Sequence, residues 1–173
     1  MDDFHKDMKQ LHGRGLTIHV EPCKLSSGSK AAALKYLMFL KMKQDCRVKC
    51  RVCTDGRSRR AYTQNDERSS PTVATKYLII SCVIDAMEQH AVDTMDIPGD
   101  FQQGNMDEIV YVKFEGIMAE LLSNIYSKLY ENYMVIDHGQ NFLYAALTHP
   151  LYGNLRASLL FRRKITGVLA ENG

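Results

Sequence analysis

Apolar and polar residues alternate along this chain with two different periods. Between Cys46 and Cys53 the period is two: Cys46, Val48, Cys50 and Val52 interleave with Arg47, Lys49 and Arg51, as in a half-solvated strand. A mostly apolar segment from Tyr36 to Lys43 precedes it. With a turn near Gln44-Asp45, the two segments predict a β-hairpin. Between Ile117 and Tyr133 the period is helical, because Met118, Leu121, Leu122, Ile125, Leu129 and Tyr133 recur on one face.

Weaker signals fill the rest. Asp2 to His12 suits a short helix ended by Gly13-Arg14-Gly15, and Leu16 to Val20 a short strand. Ser26-Ser27-Gly28-Ser29 supplies a cap for a helix through Ala31, Ala32 and Ala33. Thr54 to Pro71 is polar and reads as a long loop. Ala74 to His90 is apolar and long enough for a buried helix, and Val92 to Ile97 suits a short strand ended by Pro98-Gly99. Ile109 to Phe114 and Phe142 to Leu147 read as further strands, Pro150 to Gly153 as a turn, and Asn154 to Leu169 as a second amphipathic helix. Strands and helices mix without regular βαβ alternation, which predicts an α+β fold.

Composition narrows the setting more than the chemistry. With 173 residues, 45% of them hydrophobic, the chain can build one real core. A charged fraction of 24% and a net charge of +2 describe neither an acidic nor a basic tail. Positive charge is nevertheless grouped locally, at Lys41, Lys43, Arg47, Lys49, Arg51, Arg57, Arg59 and Arg60, and local grouping sets a phosphate footprint. Five cysteines in no disulfide-framework spacing favour a reducing compartment. The start, Met1-Asp2-Asp3-Phe4-His5-Lys6, lacks the apolar run of a signal peptide. The longest apolar stretch, Tyr77 to Met87, is broken by Ser81 and Asp85 and cannot span a bilayer. These features predict an intracellular protein, cytoplasmic rather than nuclear, without a membrane partner.

Five short motifs then follow in order from about Tyr36 to Ile165. Lys49-Cys50-Arg51-Val52-Cys53-Thr54-Asp55-Gly56 resembles K-A-R-L-V-A-K-G, and Ser69-Ser70-Pro71-Thr72 resembles the S-P segment beyond it. Met95-Asp96-Ile97-Pro98-Gly99-Asp100-Phe101 resembles D-V-x-x-A-F, and Met106-Asp107-Glu108-Ile109-Val110-Tyr111 resembles L-x-E-E-V-Y-M. Leu151-Tyr152-Gly153-Asn154-Leu155-Arg156-Ala157 resembles L-Y-G-L-K-Q-A. Each is weak alone; in this order the set resembles a copia-type retrotransposon reverse transcriptase, an RNA-directed DNA polymerase.

That resemblance implies a fingers region over residues 1–72 and a partial palm over residues 73–173. It implies RNA or DNA template-primer and a deoxynucleoside triphosphate as partners, with Mg2+ as cofactor. Nucleotidyl transfer uses two divalent ions held by hard oxygen ligands. Asp96 falls on the family's first catalytic carboxylate, with the Ile97 carbonyl beside it as a metal ligand. Phe101 falls on the bulky residue under the sugar, Gly153 on the loop that positions template and nucleotide. Arg51 and Lys49 fall where the fingers reach the triphosphate, and Lys41, Lys43, Arg47 and Arg57 would meet the nucleic-acid backbone.

The family also needs two adjacent aspartates in a later x-D-D motif. The only Asp-Asp pair in this sequence is Asp2-Asp3, in no such context. One carboxylate cannot hold two metals, so this chain alone is expected neither to bind Mg2+ tightly nor to polymerise. Asp100 stands where the family has a small Ala, Arg162 where it has Trp, and Pro150 where a small Ala is usual. A carboxylate at Asp100 would repel phosphate. A non-catalytic nucleic-acid-binding remnant of a retroelement is the alternative.

Plainer readings stand beside these. Asp96 could simply end a strand before Pro98-Gly99, and the basic residues could be a solvated surface that protects a sheet edge. Cys46-x3-Cys50-x2-Cys53 has the ligand spacing of iron–sulfur radical enzymes. Strand alternation would place Cys50 and Cys53 on opposite sides, so packed or half-exposed thiols are preferred. Tyr126, Tyr130 and Tyr133 read as core rather than as a stacking platform. The six histidines show no metal-ligand pair.

Overall fold

The computed structural model describes residues 12–42, 44, 48–61, 63–64, 70–137 and 139–172, and of residues 48–50 the backbone alone. The fold is α+β, organised round one curled sheet. Its strands are β1 (Thr17–His19), β2 (Leu34–Met42), β3 (Val48–Thr54), β4 (Tyr111–Glu115), β5 (Met134–Asp137) and β6 (Gln140–Leu147). The order is β1-β6-β4-β2-β3, with β5 also paired to β6. Strands from both sides of residue 72 therefore share one hydrogen-bonded sheet.

β6 is the hub. Its first half pairs with β5 (Met134↔Leu143 to Asp137↔Gln140) and its last residues pair with β1 (Thr17↔Leu147 to His19↔Ala145). Its other edge carries β4, antiparallel, from Tyr111↔Ala146 to Glu115↔Phe142. β2 joins β4 in parallel through Leu34↔Val112 and Lys35↔Lys113 only. It then leaves the sheet as a ribbon with β3, in register from Tyr36↔Thr54 to Met42↔Val48. This is the expected hairpin, with its arms one or two residues longer at the base.

Period-two alternation decides which face is buried. Leu34 and Tyr36, Val112 and Phe114, and Leu143, Ala145 and Leu147 all point into one cluster with Leu16, Val110 and Leu151. Helix α3 (Ile117–Ile125) covers that face with Ala119 and Leu122, and the short α4 (Ser127–Tyr130) adds Tyr130. Each fully buried Leu or Phe here contributes about 1.5–3 kcal/mol. The single helix expected over Ile117 to Tyr133 is broken at Tyr126 (φ −135°, ψ 56°). The break turns Tyr130 inward, to 2% exposure, and leaves Leu129 on the surface. Tyr130, with Tyr126 and Tyr133 packed on the same cluster, serves the core as expected.

The remaining helices are α1 (Ser27–Ala32), α2 (Thr75–Glu88) and α5 (Ala157–Asn172). Ser26 caps α1, its side chain accepting from the Ser29 N–H at 3.1 Å. α5 anchors through Ala157, Leu159 and Leu160 near its start. The long loop expected after Thr54 instead opens with a 3-10 helix at Gly56–Ala61.

Two expectations fail. α2 forms where predicted, but none of its residues is buried. The core is completed by the sheet with α3 and α4, and α2 adds no residue to it. The strand expected over Val92 to Ile97 is exposed coil. β4 has β6 on one edge and β2 on the other, so a further strand has no edge beside it. The expected helix from Asp2 lies outside the described residues except at His12. No helix among the described residues is long and apolar enough to cross a membrane.

Candidate functional site

The site is built round a close contact between two distant turns. β3 ends at Thr54, whose N–H donates to the Tyr152 carbonyl at 2.7 Å. Gly153 follows in the left-handed region (φ +85°), and a Cβ there would collide with the Thr54 carbonyl oxygen. A Cβ on Gly56 would likewise collide with the Gly153 carbonyl oxygen. Glycine is required at both positions because backbone meets backbone. The first and last of the five sequence motifs are thereby locked together.

The Met95–Phe101 segment comes against the same turn. Pro98-Gly99 reverses the chain with Gly99 at φ +63° and starts a 3-10 helix at Asp100–Gln103. Phe101 packs on Tyr152 (ring centroids 5.1 Å apart) and on Phe161 of α5 (6.3 Å). The Tyr152 hydroxyl donates to Asp100 Oδ1 at 2.8 Å. Burial first, and then this bond, push the Tyr152 hydroxyl above its ordinary pKa, while Arg51 acts in the opposite sense. A cleft of about 420 Å³ results, lined by Asp96, Ile97, Pro98, Gly99, Asp100, Tyr152 and Phe161.

A second cleft, of about 390 Å³, contains Gly153 together with Phe39, Thr54, Asp55, Arg57 and Arg60. Arg57 is not a free cation, since it holds Asp55 through two side-chain bonds of 2.9 and 2.7 Å. Those bonds hold the Asp55 carboxyl at about 2, below the ordinary carboxylate range. Arg59 is also engaged, forming a fork on Glu108 at 2.9 and 3.0 Å. Arg156 and Arg163 converge on Asp107 at 2.7 and 3.4 Å. The Met106–Tyr111 motif thus acts as a clip that ties the Gly56–Ala61 turn and α5 to the start of β4.

Of the residues predicted from sequence, Asp96, Ile97, Phe101 and Gly153 gather at or beside the first cleft, and Arg51 lies within electrostatic reach of its Tyr152. Asp96 is exposed on coil, not at a strand end. Arg51 and Lys41 are exposed on the β2–β3 ribbon. Lys43 and Arg47 lie outside the described residues, as does the side chain of Lys49. The same holds for Cys46 and for the Cys50 side chain, while Cys53 is a half-buried free thiol.

Tyr152 and Phe161 were missed as site residues. Tyr152 lay within a recognised motif, but its hydroxyl partner stands 52 positions away, beyond any local pattern. Asp100, read from sequence as a foreign charge, has that hydroxyl as its donor.

Asp96 and Asp100 are the carboxylates of the cleft, and Asp100 already accepts from Tyr152. Among the described residues no group of three or more His, Cys, Asp or Glu could hold a metal ion. Two carboxylates do not fit a two-ion centre of hard cations.

Comparison with known proteins finds no matching family model, no similar curated protein and no similar solved structure.

Proposed function

We propose that this chain is a fragment of a copia-type retroelement reverse transcriptase, comprising fingers and the first part of a palm, that binds nucleic acid and lacks a complete polymerase centre. The observation that supports this reading most is the meeting of three motif segments round the Tyr152-Gly153 turn. Thr54 and Gly56 of the fingers motif pack on Tyr152-Gly153 of the positioning loop, and Asp96 to Asp100 of the first catalytic motif share a cleft with Tyr152. Convergence of the ordered motifs on one turn is what a shared site would require, and it supports the reading.

In this reading Arg51 and Lys41, on the exposed ribbon, attract the phosphate backbone of template-primer, and the Phe101–Tyr152 wall receives an apolar ring or sugar face. Asp96 lines the cleft without, among the described residues, the further ligands that a Mg2+ centre needs. The short donor set favours the second reading, a non-catalytic nucleic-acid-binding remnant, over polymerisation by this chain.

Fluorescence anisotropy with a labelled RNA–DNA template-primer tests the proposal. Binding that weakens steeply with salt is expected, together with a loss of about three- to tenfold in Arg51→Ala. Asp96→Asn should bind as the wild type does at every Mg2+ concentration, because the described residues of the cleft do not assemble a metal site. Absence of salt-dependent binding would remove both nucleic-acid readings. An Mg2+ dependence that Asp96→Asn removes would instead favour a metal-binding polymerase fragment over the remnant.

A further inference from the structure

The last turn of α2 ends in a histidine held between two carboxylates. His90 Nδ1 lies 3.1 Å from Asp85 Oδ1, and His90 Nε2 lies 3.2 Å from Glu88 Oε2. An ionised carboxylate can only accept hydrogen bonds, so both ring nitrogens must donate for both contacts to hold. A neutral imidazole has one N–H and one lone pair, and it would set that lone pair against a carboxylate oxygen. The arrangement is therefore that of the imidazolium, and loss of one proton breaks one of its two arms.

The backbone gives this clasp something to hold. Gln89 closes α2 in the left-handed region, at φ 56° and ψ 37°, and is the non-glycine residue with positive φ among the described residues. Glycine is the usual occupant of such a position, because a Cβ is crowded there. The Gln89 and His90 N–H groups both donate to the Asp85 carbonyl, that of His90 at 2.9 Å. Asp85 is thus tied to the chain beyond the helix through its backbone and its side chain at once. A cation at this end also meets the negative pole of the helix. No residue of α2 is buried, so no packing against the core holds the turn when the clasp opens. Among the described residues, Asp85 and Glu88 are the charged groups that meet the ring, and both belong to α2.

We propose that His90, Asp85 and Glu88 form a proton-dependent clasp that closes the C-terminal turn of α2. With the ring protonated, both arms and the favourable dipole interaction are present, and the turn is closed. As pH rises through the range in which a histidine loses its charge, one arm turns repulsive and the dipole interaction disappears. The turn then frays into the exposed coil that follows it. The closed form is the one that binds the extra proton, so the helix end is gained on acidification and lost as pH rises.

NMR on the full chain, from about pH 5.5 to about pH 8, reads this through the Cα secondary shifts of Val83 to Glu88. The ratio of helix to coil in that turn should fall about two- to fivefold across the range, with the strand β6 as internal reference. His90→Gln should make the ratio constant with pH. The double variant D85N/E88Q keeps the histidine and the dipole but removes both ionised acceptors, and it should lose more than half of the dependence. A wild-type turn whose shifts ignore pH overturns the proposal. So does a dependence that survives His90→Gln, which would place the titrating group elsewhere. A dependence that D85N/E88Q leaves whole also overturns it, since His90 would then act on the helix dipole alone.

Discussion

Gly153 carries two constraints at one residue, a left-handed φ of +85° and a backbone neighbour where a Cβ would stand. Either alone costs about 1–3 kcal/mol; together they leave the turn no way to relax without breaking the Thr54–Tyr152 bond. Gly153→Ala should therefore lower stability by about 3 kcal/mol or more. Gly28 supplies the contrast, since a Cβ there meets only Ser26 Oγ, at 3.8 Å, inside the short helix α1. Gly28→Ala should be neutral or stabilising by up to about 1 kcal/mol. Urea melts of the two variants check both, and equal effects would show that the Gly153 contact is looser than described. The charged residues of the site follow a similar local logic. Arg57 and Arg59, which read in the sequence as part of one basic stripe, are held by Asp55 and Glu108, so the phosphate-attracting charge is concentrated on the ribbon.

At the scale of elements, β1 and the α3–α4 turn meet through a histidine–tyrosine cluster. His19 packs edge-on to Tyr130 with ring centroids 4.4 Å apart, and His12 packs on Tyr126 at 4.3 Å. Burial first, and then the neighbouring His12, hold His19 below its ordinary pKa of 6.5, while burial pushes the Tyr130 hydroxyl up to about 12. The folded state therefore keeps His19 neutral where the unfolded chain would protonate it. By linkage the unfolded state binds more protons below about pH 6.5, so stability is fully present above that pH and falls as pH drops towards the folded value. Urea midpoints measured from neutral to mildly acid pH should fall in the wild type and fall less in His19→Phe, which keeps the ring contact and removes the proton site. Parallel profiles would exclude His19 as the cause. The hairpin, β4, β6, α1 and the terminal amphipathic helix were all legible in the sequence, because local period and capping determine them. β5 was not, since Met134–Asp137 is strand only by pairing with the first half of β6. The break at Tyr126 and the absence of a strand at Val92 to Ile97 were equally hidden, one depending on how Tyr130 enters the core and the other on which edges of β4 are occupied. The cleft was legible as a list of residues through the ordered motifs. The Tyr152–Asp100 bond that shapes it was not.

Across the whole molecule, burial is uneven in a way that predicts its dynamics. The core lies between one face of the sheet and α3–α4, and Val112, Leu143 and Ala145 at its centre are wholly buried. Helix α2 lies between stretches of exposed coil and contributes nothing to that core. Its stability then has to come from its own backbone bonds, and a helix of 14 residues is marginal in water on that basis. Native-state hydrogen exchange should accordingly divide the protein. Amides of β4 and β6 should exchange only through global unfolding, whereas those of α2 should exchange through local fraying at a far lower free energy. If α2 is as protected as β6 in dilute solution, it has a packing partner within its own chain. Its exposed Ile79, Ile80, Val83 and Met87 would then pack against that partner.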